Sequence, residues 1–329
     1  MSTSLVFGSD PELFFVKKGK VVPSSTVIPK DGLPVRDSGR IIRDGFQVEL
    51  NPGSSFCRQI AASEIARAMR VLRDLEIRHK VEVSTEVGVV VDEETFKSIP
   101  LSERKFGCNP TENVYQEKLD RPTGARVRFR SGGGHIHIGL PQRFRGNEER
   151  IGELVKMFDI LVGNSCVFFD QSPASTLRRK YYGRAGEYRM KPYGVEYRVP
   201  SNFWLQSYVL WSMVSGLCRQ VVDLHYANFF NRLTKKVPLE NVRKAINNND
   251  KDLALENLRL LAEFIKEHDI NLSSGLSVSN VDKFIRLVQS NIINQYPWKA
   301  TRSEMFQDWE TKLMYGADGF ERTLDNVEI

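Results

Sequence analysis

Cysteine is scarce in this sequence, and the spacing of the cysteines bears on whether they bind zinc or form disulfides. The 329 residues contain four cysteines with no CxxC pair among them. This spacing argues against a zinc ribbon and against a disulfide framework. We therefore expect buried free thiols in a reducing cytoplasm. The four residues are Cys57, Cys108, Cys166 and Cys218.

Three common enzyme signatures are also missing. The sequence has no GxxxxGK[ST] motif, so a P-loop is excluded. No GxGxxG follows a predicted strand, so a dinucleotide-binding fold is not indicated. The GxSxG elbow of α/β-hydrolases is absent as well, although a Ser/His/Asp triad at another spacing stays open.

Long apolar runs are absent too. No uninterrupted stretch approaches the length of about 18 residues that a membrane span requires. The N-terminal segment has no basic region, and acids already occur at Asp10 and Glu12, so we do not expect a secretory signal. Hydrophobic residues at 41% and charged residues at 27% are typical of a globular protein and exclude bulk disorder.

Positive charge is concentrated in one segment. The formal net charge is +6, and residues 171–200 contribute +5 of it through seven bases and two acids. A local basic cluster favours a site for a compact polyanion, such as a nucleoside triphosphate, over a diffuse nucleic-acid surface. The alternative is a solvated basic face. The seven bases are Arg178, Arg179, Lys180, Arg184, Arg189, Lys191 and Arg198.

Hydrophobic periodicity predicts an α+β fold with helices gathered towards the C-terminal end. Apolar residues spaced as on one helix face predict a helix over about 58–80, and a second helix is expected to start after Asn147. We divide the chain into a catalytic region, 1–205, and a helical region, 206–329, packed on the same unit. Strands are expected at Leu5–Val16, Lys20–Ile28, Arg40–Leu50, Val81–Val91, Ala125–Leu140 and Glu187–Val199, and later helices at about 203–230, 238–247, 251–268 and 278–291.

Four predicted strands carry pairs of functional side chains two positions apart. Residues i and i+2 share one face of a strand, so each pair is expected to project together. In HIHIG the isoleucines then enter the core and the histidines face the other way. A single such pair is usually the wet face of a half-buried sheet. The pairs are Asp10 and Glu12, Gln47 and Glu49, His135 and His137, and Glu196 and Arg198.

The residue types in these pairs favour a metal-assisted phosphate site over a merely solvated face. Carboxylate oxygens suit Mg²⁺ or Mn²⁺, and one imidazole among them is compatible with either ion. An arginine beside a metal ligand suits a phosphate held next to the metal. The glycines at 132–134 permit close approach of the backbone to a ligand, or else mark a bulge or bend in the strand.

At these residues the chain resembles the phage-type carboxylate–amine ligases (COOH·NH2 ligase, type 2) of the glutamine synthetase and glutamate–cysteine ligase superfamily. The resemblance covers roughly residues 5–205, and we identify no matching motif in the last 120 residues. The motifs, in family order, are GSDPELFF, DGFQVELNP, FGCNP, SGGGHIHIGL, GRAGEYR and GVEYRVPSN.

The resemblance implies a curved antiparallel sheet forming a funnel, flanked by helices, that binds ATP with Mg²⁺ or Mn²⁺. It implies metal ligation by Asp10, Glu12, Glu49, His135 and Glu196. It places His137, Arg184 and Arg198 at the nucleotide, and Arg184, Arg189 and Arg198 at the phosphoryl group being transferred. Further metal ligands in mid-chain are expected, with Glu86 and Glu112 as candidates, and Glu187 and Glu112 are candidate general bases.

The implied reaction is ATP-dependent joining of an acid and an amine through an acyl phosphate. A carboxylate has no good leaving group, and metal ions and arginines are suited to its phosphorylation. The expected partners are a small-molecule or peptide carboxylate and an amine, with neither membrane nor nucleic acid among them. Specificity is expected in the loop 107–124 and the C-terminal helices. The expected location is the cytoplasm, that of a bacterial host cell if the chain is phage-encoded.

Two alternatives stay open at this level. One is another phosphoryl-transfer enzyme on the same fold, such as a guanidino kinase, which would release a phosphorylated acceptor. The other is a nucleic-acid-binding or virion-associated protein on a degenerate ligase fold, because arginines among aromatic residues can grip single strands. The aromatic residues that motivate it are Tyr181, Tyr182, Tyr188, Tyr193 and Tyr197.

Overall fold

The computed structural model describes residues 6–35, 39–104, 111–117, 126–270 and 301–315. In this part the chain combines α-helices with antiparallel strands, which confirms the predicted α+β class. The strands are β1 (Val6–Ser9), β2 (Glu12–Lys17), β3 (Lys20–Val22), β4 (Leu33–Val35), β5 (Gly39–Asp44), β6 (Gln47–Asn51), β7 (Glu82–Ser84), β8 (Gly88–Val90), β9 (Glu112–Asn113), β10 (Phe129–Ser131), β11 (Ile136–Gly139), β12 (Glu187–Lys191) and β13 (Gly194–Tyr197).

These strands form two larger sheets and one separate pair. The five-stranded sheet has the order β1-β11-β13-β12-β9, and the six-stranded sheet has the order β3-β2-β6-β5-β4 with β7 also paired to β2. Strands β8 and β10 pair with each other. The helices are α1 (Arg58–His79), α2 (Glu93–Ser98), α3 (Gln142–Arg145), α4 (Glu148–Phe158), α5 (Asn164–Phe169), α6 (Ser175–Tyr181), α7 (Tyr208–Tyr226), α8 (Phe230–Lys236), α9 (Leu239–Asn248), α10 (Lys251–Glu267) and α11 (Arg302–Tyr315).

The two larger sheets meet at the junction between β1 and β2. The sequence predicted one strand over Leu5–Val16, but the chain changes partners at Asp10 and Pro11. Pro11 has no backbone N–H, and its carbonyl accepts the N–H of Leu50 in β6 at 2.9 Å. On the other side, the N–H of Glu12 donates to the carbonyl of Gly133 at 2.8 Å. Residues 10–12 therefore belong to both hydrogen-bonding systems.

The predicted strand Ala125–Leu140 is also divided. Its first part, β10, pairs with β8, while its second part, β11, lies between β1 and β13. The glycines at 132–134 occupy the change of partner. The predicted strand Val81–Val91 is likewise split into β7 and β8. In each case a local apolar pattern was correctly identified as extended chain, but the pattern carried no information on pairing.

Helix α1 confirms the predicted 58–80 helix. Its apolar residues Ile65, Met69, Leu72 and Leu75 are buried. The helix packs on β1, β4, β5, β7 and α11. It ends at Lys80, which adopts a left-handed conformation with φ of 53°.

Helix α4 starts where its capping residues predicted. The side chain of Asn147 accepts the N–H of Arg150 at 3.0 Å. The helix continues through one π turn, Asp159–Gly163, into α5. Gly163 faces Tyr197 of β13, and a Cβ there would lie 2.4 Å from the tyrosine oxygen. The absent side chain allows the helix to lie against the core face of the five-stranded sheet.

The C-terminal helices only partly follow the prediction. Helices α9 and α10 match the expected segments closely, while α7 is shorter than the expected 203–230, because Asn202–Gln206 forms a 3-10 turn. The expected helix 278–291 lies outside the described residues. Helix α11 was not predicted. It buries Met305, Phe306 and Trp309, and the indole N–H of Trp309 donates to the carbonyl of Leu205 at 2.7 Å.

One hydrophobic core connects both sheets with these helices, from Phe7 in β1 to Trp309 in α11. Free Cys166 and Cys218 are buried in it, as expected, whereas free Cys57 is exposed, contrary to the expectation. Cys108 lies outside the described residues. Among the helices that are described, none combines the length and the hydropathy needed to cross a membrane.

Candidate functional site

The functional pairs of the five-stranded sheet lie on one face in two rows. In the first row Gly8, His137, Glu196 and Arg189 are successive partners across β1, β11, β13 and β12. In the second row the N–H of Asp10 donates to the carbonyl of His135, and the N–H of Arg198 donates to that of Glu187. Ile136 and Ile138 are fully buried on the other face, as the alternation in HIHIG predicted.

The first group of ligand-type side chains, the histidine–acid cluster, consists of Asp10, His135, His137 and Glu196. Nδ1 of His135 lies 3.2 Å from Oδ1 of Asp10 and 3.6 Å from Oε1 of Glu196. Nε2 of His137 lies 3.1 Å from Oδ2 of Asp10. One ligand atom from each of Asp10, His137 and Glu196 can be chosen so that all lie within 4.8 Å of one another. Such a group is compact enough to hold a single cation.

The electrostatics of this cluster keep its carboxylates ionised. Burial by itself would raise the pKa of Asp10, but His135 and His137 outweigh burial and hold that pKa well below its ordinary value. For Glu196, too, burial is opposed by His135 and Arg198, and its pKa is lowered. Burial lowers the pKa of His135, while Asp10 overcomes burial at His137 and raises the pKa there.

The second group, the three-acid cluster, consists of Glu12 on β2, Asp44 at the end of β5 and Glu49 on β6. Oxygens of all three lie within 4.8 Å of one another. Oε2 of Glu12 accepts the N–H of Gly133 at 2.7 Å, which connects this cluster to the five-stranded sheet. The side-chain amide of Asn51 donates to Oε1 of Glu49 at 2.9 Å.

Burial, followed by the proximity of other acids, raises the pKa values in this second cluster. Burial, together with the neighbouring carboxylates Glu49 and Asp44, raises the pKa of Glu12 to about 8. Burial and Asp10 raise the pKa of Glu49 to about 7, and burial raises that of Asp44. Among the described residues, the clusters thus differ in character: the first is partly neutralised by histidines, and the second has no basic side chain as a member.

Three cations surround the carboxylate of Glu196. Nζ of Lys191 lies 2.9 Å and Nη1 of Arg189 lies 3.4 Å from Oε2, while Nη1 of Arg198 lies 3.1 Å from Oε1. Arg198 is fully buried, and Arg189 and Lys191 keep about a quarter of their side chains exposed. The predicted pairing of Glu196 with Arg198 on one strand face is present, and β12 adds the other two charges beside it.

Other bases of the 171–200 segment make contacts away from Glu196. Arg184 forms an ion pair with Glu117 at 3.0 Å, and Glu117 also binds Arg243, so Arg184 lies apart from the Glu196 group. Arg178 and Arg179 are buried in α6 and donate to backbone carbonyls, including that of Val199. The basic segment is therefore divided between the candidate site and structural hydrogen bonding.

Three acids that the sequence offered as further ligands or bases lie elsewhere. Glu86 is exposed and joins neither cluster. Glu112 is the strand partner of Tyr188, which alternates with Arg189 on β12, so it lies on the opposite face from Glu196. Glu187 is buried on the site face, where Oε2 accepts the N–H of Gly183 at 3.0 Å and holds the loop before β12.

The glycines at 132–134 accommodate neighbouring protein atoms. A Cβ at Gly133 would lie 3.0 Å from Oε2 of Glu12, and one at Gly134 would lie 2.1 Å from the carbonyl oxygen of Ser201. A side chain at either position would displace these groups. The run therefore allows β11 to approach both the three-acid cluster and the segment after β13.

Three residues of this region were not among the predicted site residues, although Lys191 was counted in the basic segment and Tyr193 among its tyrosines. Asp44 completes the three-acid cluster, Lys191 contacts Glu196, and the hydroxyl of Tyr193 lies 2.6 Å from Nδ1 of His137. Lys191 follows Arg189 by two positions, so the alternation used for the other pairs would have found it. Asp44 and Tyr193 lie within the predicted strands Arg40–Leu50 and Glu187–Val199, each of which proved to be a hairpin of two strands. A continuous strand would have placed Asp44 on the face opposite Glu49, whereas the turn at residues 45–46 brings it to the same face.

The donor atoms fit a hard divalent cation in both clusters. Carboxylate oxygens dominate, and the histidine–acid cluster adds imidazole nitrogen, a combination that suits Mg²⁺ or Mn²⁺. The raised pKa values of Glu12 and Glu49 are what closely spaced acids show without a compensating charge. Asp10, His137 and Glu196 could hold one ion, and Glu12, Asp44 and Glu49 could hold another.

One known protein family matches a large part of this chain. Residues 112–310 match the family model described as Phage phiEco32-like COOH.NH2 ligase-type 2. The chain belongs to this family. No protein among the curated sequences matches the chain.

The range of the match adds to the resemblance identified from motifs. It includes β11, β12 and β13, both histidines of HIHIG, and Glu196 with the three cations around it. It continues through helices α7 to α10, where the sequence offered no motif. Asp10, Glu12, Asp44 and Glu49 precede the matched range. This carboxylate–amine ligase family member therefore assembles its candidate site from matched and unmatched segments.

Proposed function

We propose that the protein is an ATP-dependent carboxylate–amine ligase that forms an amide or peptide bond through an acyl phosphate. Membership of the ligase family supports the reaction class. The observation that carries the ATP-dependent part is the contact of Lys191, Arg189 and Arg198 with Glu196, directly beside the histidine–acid cluster. Cations next to metal-type carboxylates are the groups that a transferring phosphoryl group requires.

The chemistry explains why such a site is needed. An amine cannot directly displace an oxygen from a carboxylate, because the leaving group would be oxide. In the proposed reaction a carboxylate oxygen attacks the γ-phosphorus of ATP and ADP departs. The amine nitrogen then attacks the carbonyl carbon and loses a proton, and inorganic phosphate leaves with the former carboxylate oxygen. Activation and displacement are thereby separated into two accessible steps.

The chain's own cations have a direct role in the first step. Negative charge on the γ-phosphoryl oxygens is matched by Arg189, Lys191 and Arg198, whose positions are fixed by the shared carboxylate of Glu196. Buried Arg198 is pre-positioned, so it loses little freedom when a phosphate arrives. The partly exposed Arg189 and Lys191 can turn from Glu196 towards the nucleotide. His137 belongs to the same row and is the nucleotide-side residue of the proposal.

The two acid clusters are the proposed holders of Mg²⁺ or Mn²⁺. When bound, such ions supply charge neutralisation for the triphosphate and the transferring phosphoryl group. Asp10, Glu12, Glu49, His135 and Glu196 are the ligands expected from the resemblance, and the geometry of the two clusters adds Asp44 and His137. We also propose that the fold belongs to the glutamine synthetase-like superfamily and that the protein acts in the cytoplasm.

The arrangement of the tyrosines argues against the nucleic-acid-binding alternative. Tyr182 and Tyr197 are buried, and Tyr181 stacks on Phe129 with ring centroids 5.2 Å apart. These rings pack the protein and are not available as a continuous stacking platform for bases. The proposed partners are accordingly a small-molecule or peptide carboxylate and an amine.

Thermal unfolding with Mg²⁺ alone, ATP alone and both together tests nucleotide binding. A ligand at about 100 times its Kd stabilises the folded state by roughly 2.7 kcal/mol, a shift of several degrees at this chain length. We expect the shift to need both components, to be lost in Glu196→Ala, and to persist in the exposed control Glu94→Ala. No shift in wild type would overturn the ATP-dependent part.

Product analysis tests the reaction. Hydroxylamine in place of the amine converts an activated carboxylate into a hydroxamate with release of phosphate. We expect ADP, free phosphate and hydroxamate in equal amounts from a mixture of acids, and loss of all three products in Glu49→Ala and Arg198→Ala. A phosphorylated acceptor without free phosphate would contradict the ligase and indicate a kinase.

A further inference from the structure

A large cavity opens beside the candidate site on the same face of the five-stranded sheet. Its volume is about 960 Å³. Cavities of roughly 300–1,000 Å³ commonly enclose ligands of drug size, so this one is at the upper end of that range. One wall is the segment after β6, where Ser55 and Phe7 exchange backbone hydrogen bonds of 3.0 Å. The opposite wall comes from residues 140–145 and from the β12–β13 turn.

Two positions on the floor of the cavity carry no side chain. Gly8 on β1 and Gly139 on β11 lie on the face that carries His137, because Gly8 is the partner of His137 and Gly139 is two residues further on. A Cβ at Gly139 would lie 2.9 Å from Cβ of Val6, whereas a Cβ at Gly8 would meet only ordinary contacts at 3.4 Å. Methyl or larger groups at these positions would occupy the space that the glycines leave open.

One end of the cavity reaches both acid clusters. His137 lines it and contacts Asp10 in the histidine–acid cluster. Asn51 also lines it, and its amide binds Glu49 in the three-acid cluster. A molecule in the cavity therefore presents one end to the place where the proposed phosphoryl transfer occurs.

The cavity wall also contains a cation, Arg145. Among the lining residues that the structure describes there is no aspartate or glutamate. In the same described part of the chain no carboxylate lies within 4 Å of the Arg145 guanidinium, whose Nη1 donates to the carbonyl of Pro192. Arg143 on the same short helix is exposed and does not line the cavity. Arg145 thus contributes a positive charge to the wall of an open cavity.

We propose that this cavity binds the acid substrate, and that this acid is of peptide size and carries a second anionic group that pairs with Arg145. The inference rests on the proposed ligase function and adds the substrate class to it. The reacting carboxylate lies at the His137 end, and the second anion lies at the Arg145 end. Charged hydrogen bonds of this kind commonly change affinity by about 10- to 100-fold.

Matched peptides test the proposal. The probes are N-acetylated tetrapeptides with a free C-terminal carboxylate that differ only in one internal glutamate or glutamine, assayed by hydroxamate formation with MgATP and hydroxylamine. We expect KM to be at least about 10-fold lower for the glutamate series. In Arg145→Gln, which keeps a donor for the Pro192 carbonyl, that preference disappears, whereas Arg145→Lys keeps part of it and Arg143→Gln keeps all of it.

Gly8→Val tests the role of the same cavity independently of Arg145. The floor position tolerates a Cβ, so the variant is expected to fold and to bind MgATP as wild type does, while its KM for the glutamate peptides rises about 10-fold or more. Variants at Arg145 and Gly8 that weaken MgATP binding, measured by thermal shift, would assign the cavity to the nucleoside and overturn the proposal.

The remaining outcomes are also decisive. Equal KM values for the glutamate and glutamine peptides, or equal loss in Arg143→Gln and Arg145→Gln, would overturn the role of Arg145. If neither peptide series reacts or shifts the thermal midpoint while the MgATP shift is intact, the substrate class is wrong and the ligase proposal survives. If MgATP does not shift the thermal midpoint of wild type, the proposed ATP-dependent function is wrong, and the cavity proposal that rests on it is overturned as well.

Discussion

Glu12 and Glu49 stand directly opposite each other on the antiparallel strands β2 and β6. Like charges at directly opposed positions destabilise a sheet. The pair is nevertheless placed at the centre of the junction between the two larger sheets, with Asp44 beside it. The protein thus gives up stability at this position, which is understandable if a cation completes the cluster.

The first prediction concerns the pH dependence of stability in metal-free protein. Both folded-state pKa values, about 8 for Glu12 and about 7 for Glu49, lie above the ordinary value of 4.5. The folded protein therefore holds protons that the unfolded chain has released. This contribution is fully present below about pH 4.5 and is lost as the pH rises through about 7 to 8. Urea unfolding should show the loss in wild type and much less of it in Glu12→Gln.

Bound metal should restore the stability that the metal-free protein loses at high pH. Addition of Mg²⁺ or Mn²⁺ is expected to raise the unfolding midpoint of wild type more at about pH 8 than at about pH 5.5, because protons compete with the metal at the lower value. The exposed control Glu94→Gln should respond like wild type. An equal metal response at both pH values, or the same pH dependence in Glu12→Gln as in wild type, would exclude this account.

A second prediction separates the cations around Glu196 from the rest of the basic segment. Lys191→Gln removes a charge that lies 2.9 Å from Glu196, whereas Lys180→Gln removes an exposed charge on α6. Loss of one well-placed donor to a developing anion typically lowers kcat by about 100-fold or more. We expect this loss for Lys191→Gln alone in the hydroxamate assay. Both variants should keep the unfolding free energy within about 1 kcal/mol of wild type, because partly exposed ion pairs contribute little.

The faces of the strands were predictable, whereas their neighbours were not. Alternation placed His135 with His137 and Glu196 with Arg198, because the two-residue period of a strand is fixed by backbone geometry. Which strands lie side by side depends on register and on long-range packing. The contact between His137 and Asp10, and the pairing of Glu12 with Glu49, therefore became visible only in the folded structure.

Turns account for most of what the sequence reading missed at the site. Asp44 is carried into the three-acid cluster by the tight turn at Gly45, which has a φ of 59°. Tyr193 reaches His137 from the turn between β12 and β13. Helix α11 was missed for a different reason: its apolar and polar residues are only weakly segregated around the helix axis.

A third prediction concerns the structural part of the basic segment. The buried guanidinium of Arg178 donates to Oγ of Ser131 at 3.0 Å and to the carbonyls of Val199 and Pro200 at 2.9 Å each. Arg178→Met removes all three hydrogen bonds at an expected cost of about 3–5 kcal/mol, although the carbonyls of Val199 and Pro200 keep Arg179 and the N–H of Gly134 as donors. Urea unfolding should show this loss, and Lys180→Met should be near wild type. A loss below about 1 kcal/mol would mean that solvent or neighbouring groups replace the arginine.

The last prediction concerns the hydroxyl of Tyr193. His137 lies between Asp10, 3.1 Å from Nε2, and this hydroxyl, 2.6 Å from Nδ1. The tyrosine ring also stacks on the imidazole with centroids 5.8 Å apart. Partners on the second nitrogen of a ligating histidine fix its tautomer and orientation, and their loss typically costs about 10- to 100-fold in metal affinity. Tyr193→Phe keeps the ring and removes only the hydroxyl.

We therefore expect Tyr193→Phe to weaken the Mn²⁺ response in thermal unfolding by about 10-fold in concentration, with the unfolding free energy of the metal-free protein changed by less than about 0.5 kcal/mol. Tyr188→Phe is the matched control, because Tyr188 belongs to the same hairpin and directs its hydroxyl to Glu112 on the opposite face. Equal effects of the two substitutions would trace the change to the hairpin as a whole. A smaller Mn²⁺ affinity in Tyr193→Phe alone would show that His137 acts on the ion, either as a ligand or through its contact with Asp10.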